Sequence, residues 1–99
     1  MISSPDQKRA LHMYELASKL VEAKGALVPI DFGTVMEYRA GSLTIHYLPK
    51  SGHLDVWYRR KVLTIDRWGG DLHVTRYTPG EDWEEQLEKA AKSTEQERR

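Results

Sequence analysis

The sequence predicts an α+β domain: an N-terminal helix, an antiparallel meander of four to five strands, and a C-terminal helix, with both helices on one sheet face. Three observations carry this. From Thr34 to Tyr77, short segments alternate apolar and polar residues with period two, the pattern of a sheet buried on one side only. Segments with helical periodicity flank that region. Each opens with the same grammar, in Ser4-Pro5-Asp6-Gln7 and Thr78-Pro79-Gly80-Glu81: a hydroxyl as N-cap, proline at the first helical position and a capping-box acceptor.

The first helix follows Ser4 directly. Ala10, Met13, Tyr14, Ala17, Leu20 and Val21, with Leu16 beside them, recur at three- and four-residue spacing, while Lys8, Glu15, Lys19 and Glu22 gather opposite. His12 falls on that polar side. Gly25 is the natural stop, because glycine readily takes the left-handed conformation after a last turn.

Ala26 to Gly33 is apolar at Leu27, Val28, Ile30 and Phe32, but Pro29 removes a ladder donor, so the segment reads as an edge strand or a packed loop. Strands follow at Thr34–Ala40, Leu43–Leu48 and His53–Arg59, separated by Gly41-Ser42 and Pro49-Lys50-Ser51-Gly52. Lys61–Trp68 and Asp71–Thr78 come next, joined at Gly69-Gly70, a strong two-residue hairpin signal. The Arg59-Arg60-Lys61 connection has neither glycine nor asparagine, which leaves room for a single long bent strand. Thr34–Ala40 is expected to be an edge, with Glu37 and Arg39 as charges that discourage pairing with another chain.

In the second helix, Glu81, Asp82, Glu84 and Glu85 sit where the helix dipole favours negative charge, and Glu85/Lys89 and Glu88/Lys92 form i,i+4 pairs. Its apolar stripe is Trp83, Leu87, Ala90 and Ala91, with Trp83 as the anchor to the sheet. Residues 93–99 form a polar tail expected to fray.

At 99 residues the chain fits a single domain over 1–99 with one modest core. Fifteen basic side chains balance fifteen acidic ones, which weakens the case for general nucleic-acid binding. No cysteine is present, so thiolate catalysis and cysteine zinc sites are excluded, and no apolar run is long enough to span a membrane. Met1-Ile2-Ser3-Ser4-Pro5 lacks a basic region followed by an apolar one, so a cytoplasmic location is the default expectation.

Period-two alternation assigns Leu43, Ile45, Tyr47, Leu54, Val56, Tyr58, Leu63, Ile65, Leu72 and Val74 to the core face. The other face then carries Thr44, His46, His53, Asp55, Trp57, Arg59, Val62, Thr64, Asp66, Trp68, His73, Thr75 and Tyr77. Trp57, Trp68 and Tyr77, with Arg59, mark a contact surface there, since aromatics and arginine concentrate where proteins bind one another.

Centring the hairpin turns at Lys50-Ser51 and Gly69-Gly70 sets His46 opposite Asp55 and Asp66 opposite His73. If the middle connection turns at Arg60-Lys61, Asp55 also faces Asp66 and a His46-Asp55-Asp66-His73 row could bind a divalent metal or a small ligand. If it turns at Arg59-Arg60, His53 faces Asp66 instead. Such pairs more commonly serve as modest surface ion pairs, and they could also supply acid/base groups. A third possibility is nucleic-acid binding by the basic hairpin of Arg59, Arg60 and Lys61 with Arg76 nearby. No catalytic residue and no cofactor is assigned, because no nucleophile elbow or phosphate cradle is present. The sequence therefore favours a small non-enzymatic module that binds a protein partner or a second copy of itself through this sheet face or an edge strand.

Overall fold

The computed structural model describes residues 4–31 and 33–97. Phe32, part of the apolar segment after the first helix, lies outside the described residues, as do residues 1–3 and 98–99. Helix α1 (Ser4–Lys24) buries the face its spacing selects: Ala10, Met13, Tyr14, Ala17, Leu20 and Val21 are all sealed, and His12 is exposed. Gly25 ends it for a different reason from the one its position suggests. It is not in the left-handed region; a Cβ there would stand 2.4 Å from the Val21 carbonyl oxygen and 2.9 Å from that of Glu37. Only glycine lets the chain leave the helix this close to the sheet.

Six strands follow as one antiparallel meander in sequence order: β1 (Ala26–Ile30), β2 (Gly33–Ala40), β3 (Leu43–Leu48), β4 (His53–Tyr58), β5 (Lys61–Trp68) and β6 (Asp71–Tyr77). The sixth comes from Ala26–Ile30, which pairs with β2 despite Pro29 and takes the edge position where proline is tolerated. Thr34–Ala40 is consequently interior and not the edge expected from the sequence. Gly69 and Gly70 both have positive φ, as a tight two-residue hairpin requires. Tyr58 pairs with Lys61, so the middle connection turns at Arg59-Arg60, with Arg59 at φ 54 in the left-handed region.

Leu43, Ile45, Tyr47, Leu54, Val56, Leu63 and Ile65 point together beneath the helices and are almost fully buried, with Tyr58, Leu72 and Val74 packed at their margin. Each aliphatic side chain sealed here contributes roughly 1.5–3 kcal/mol relative to exposure. Parity breaks once. A bulge opposite Thr64 and Ile65 leaves Thr75 out of the register, because Ile65 pairs with Val74 and Thr64 with Arg76, and the Thr75 hydroxyl donates to the Thr64 carbonyl at 3.2 Å. Tyr77 therefore pairs with Leu63 and faces the core instead of the open side expected for it, and Arg76 turns outward.

Helix α2 (Glu81–Glu97) begins later than the Thr78-Pro79 grammar implies. Gly80 is the cap: its carbonyl accepts from the Glu84 amide at 3.1 Å, and its own amide donates to Glu84 Oε2 at 2.6 Å. Thr78 instead extends the strand pairing by donating its amide to Val62, and its carbonyl accepts the Trp83 indole N–H at 3.0 Å. Trp83 is buried edge-on against Tyr77. The helix continues past Ser93 through Glu97, with Thr94 buried and its hydroxyl donating to the Ala90 carbonyl.

Glu84 is the only carboxylate among the described residues buried to this degree, with 2 % of its surface exposed. It accepts from Arg9 Nε at 2.6 Å, the Tyr77 hydroxyl at 2.8 Å and the Gly80 amide, and so ties α1, β6 and the start of α2 together. Burial, followed by the hydrogen bond to Glu84, pushes the Tyr77 phenol well above its usual range. Replacing Glu84 with alanine strips the acceptor from the part-buried Tyr77 hydroxyl and Gly80 amide, so Glu84→Ala should lower unfolding free energy by about 2–4 kcal/mol. Arg9→Ala should cost about 1 kcal/mol or less, because the guanidinium is half exposed. Urea denaturation of the two variants checks this ordering.

Candidate functional site

Both helices lie on one side of the sheet, and the opposite side of β2 to β6 carries the chemistry-bearing residues. The register places them in four tiers along the strands. At one end stand Arg39, Thr44, Trp57 and Val62, beside the Arg59-Arg60 turn. Glu37, His46, Asp55, Thr64 and Arg76 form the next tier, and Leu48, His53, Asp66 and His73 the third, with Val35 beside them buried. Trp68 and Asp71 close the far end.

His46 is opposite Asp55 and Asp66 is opposite His73, as the hairpin geometry predicts, but the side chains choose other partners. His46 Nε2 is 2.7 Å from Glu37 Oε2, and its ring stands edge-on to Trp57 with centroids 5.0 Å apart. His73 stacks flat on Trp68, with centroids 3.6 Å apart and planes 5° from parallel. Asp55 and Asp66 are instead joined by His53, whose Nε2 is 2.7 Å from Asp55 and whose Nδ1 contacts Asp66. The Thr64 hydroxyl donates to Asp55 at 2.8 Å.

The Arg59-Arg60 turn is the cause. It puts His53 opposite Asp66, so the four-residue His46-Asp55-Asp66-His73 row does not form. His53, given no role in that row, becomes the centre of the network. Glu37 was also legible in principle: applying the same turn argument to Gly41-Ser42 sets it opposite His46.

This arrangement decides what the face can do. His53 has a carboxylate at each ring nitrogen, so while protonated it donates to Asp55 and Asp66 together. Among the described residues no group of three or more His, Asp or Glu side chains is placed to hold a metal ion. Two clefts, of about 250 and 540 Å³, are lined by His12, Leu16, Glu88, Ala91 and Lys92, and by Gly33, Thr34 and residues 48–51; neither takes in the His/Asp network.

Trp57 and Trp68 are exposed to 38 % and 54 %. They occupy opposite ends of the face, separated by about 20 Å of strand. Of the third predicted contact residue, Tyr77, nothing reaches this side. Arg59 lies in the turn, its guanidinium 5.4 Å from the Tyr58 ring centre, and Arg60 is exposed beside it. Lys61 pairs with Asp82 at 2.8 Å toward α2, and Arg76 stands two tiers along the sheet, so the basic residues do not form one cluster. Among the described residues no helix is long and apolar enough to cross a membrane. Comparison with protein-family models, with curated proteins and with solved structures gives no match.

Burial opposes charge on His53, but hydrogen bonds to Asp66 and Asp55 and the charges of both outweigh it, and the pKa is raised above its usual 6.5. The hydrogen bond to His46, helped by Arg39, holds the Glu37 carboxyl below its usual range. A raised folded-state pKa means the His53 contribution is complete below pH 6.5 and disappears as pH rises through the higher folded value. For a partly exposed pair it is worth about 1 kcal/mol at most. Melting temperature should therefore fall as pH rises through and above the neutral range, and His53→Gln should flatten that segment of the profile.

Proposed function

We propose that this protein is a small non-enzymatic interaction module that recognises a protein partner through the open face of its sheet. The observation that carries the reading is the pairing of two exposed tryptophans, Trp57 and Trp68, with a sheet face that neither helix covers. A face that only meets water needs no tryptophan, and large aromatics supply much of the energy in protein contacts.

The centre of the face supports the same reading. Glu37, Asp55 and Asp66 already have partners in His46, His53 and Thr64, so covering them with another protein leaves few carboxylate oxygens without a donor.

The test is to isolate the protein from its host, identify by mass spectrometry what accompanies it, and titrate that partner against Trp57→Ala and Trp68→Ala by calorimetry. Each substitution should weaken binding by ten-fold or more while far-ultraviolet circular dichroism stays unchanged. Unchanged affinity in both variants contradicts the reading.

A further inference from the structure

The open face has an electrostatic direction, and that direction makes it complementary to itself. Its Trp57 end adjoins the β4–β5 turn with the exposed Arg60 and with Arg59, whose guanidinium lies over Tyr58, while Arg39 on β2 is paired with Glu37 at 3.3 Å. Its Trp68 end carries the exposed Asp71, and Asp66, which shares its charge with His53. Lys50, in the β3–β4 turn, offsets part of the acidic end, and Arg67 lies there on the helix side opposite Leu72. Each end thus presents one tryptophan with an excess of one sign of charge.

We propose that the partner of this face is a second copy of the chain, in a two-fold dimer whose two sheets pack face to face with their strands running in opposite directions. This rests on the interaction-module reading above and supplies its occupant. Two rotations can bring two copies of one sheet face together. An axis along the strands sets basic end on basic end and acidic on acidic. An axis across the strands sets the Arg59-Arg60 turn of each copy over the Asp66 and Trp68 end of the other, where guanidinium meets both carboxylate and aromatic ring. Charge selects the second. The resulting contact is isologous, so one self-complementary patch closes the assembly at two chains.

Other observations agree. Formal net charge is zero, so no overall repulsion opposes association. Aligned packing of two antiparallel sheets is an established way of covering such faces. Five strands about 4.8 Å apart and about 20 Å long give a footprint of roughly 500 Å² before side-chain relief. Counted over both copies this is roughly 1,000 Å², the range of weak, reversible contacts.

Sedimentation equilibrium of the full chain tests the proposal. Wild-type protein should pass reversibly from a single 11.5 kDa chain to a pair as concentration rises, and added salt should weaken the pair. Trp57→Ala should loosen it ten-fold or more. The double variant Arg59→Glu/Arg60→Glu makes both ends acidic, and Asp71→Lys shifts the acidic end toward basic. Each should self-associate more weakly than wild type, and an equimolar mixture should form a heterodimer detectable by native mass spectrometry. These positions are exposed, so loss of fold does not confuse the result.

A wild-type chain that stays single to about 1 mM overturns the proposal. So does a dimer unaffected by all these substitutions, or a mixture that fails to pair. If the wild type stays single while Trp57 and Trp68 are required for binding a different protein, the interaction module stands and self-association falls.

Discussion

Side-chain parity across the sheet is the constraint on which everything else in this structure depends. A strand residue can look only toward the helices or away from them. Because Ile45, Val56, Leu63 and Ile65 are committed inward, His46, Asp55, Trp57 and Thr64 must look outward. A slip of one residue in any pairing would move several aliphatic side chains into water, so the hydrophobic effect fixes the register and the register places the polar residues. The open face is therefore a by-product of core formation in its placement, and only its composition is free to vary.

The two sides keep their polar groups satisfied in different ways. Beneath the helices the buried carboxylate of Glu84 gathers donors from α1, β6 and the cap of α2. On the open side the polar groups are spread over four strands and linked through His53 and His46 to neighbouring carboxylates. The first arrangement joins elements distant in sequence. The second links adjacent strands and leaves a face that is charged in its parts, nearly satisfied within itself and bounded by aromatic rings.

Much of the fold was legible because alternation and turn chemistry are local signals. The boundaries of β3, the Gly69-Gly70 turn, the buried face of α1 and the opposition of His46 to Asp55 all followed from residue spacing. What escaped was determined by tertiary contact. The bulge at Thr75 inserts a residue without changing composition, so Tyr77 read as outward. The Arg59-Arg60 turn uses an arginine at positive φ, which no turn preference announces. Glu84 resembled its three acidic neighbours, which serve the helix dipole, and only its burial beside Arg9 and Tyr77 sets it apart. For the site, positions could be read from the sequence but partners could not. Opposed Cα atoms permit several side-chain pairings, and His53 was settled between Asp55 and Asp66 by a single turn.

Single-cysteine labelling reports on sheet parity most directly, since the chain contains no cysteine of its own. Val74→Cys and Arg76→Cys, separated by the bulged Thr75, should behave differently toward a thiol reagent in dilute native solution. The account predicts prompt labelling at position 76 and slow labelling at position 74, with both fast in denaturant. Equal protection at the two positions, as unbroken alternation along β6 demands, would contradict it.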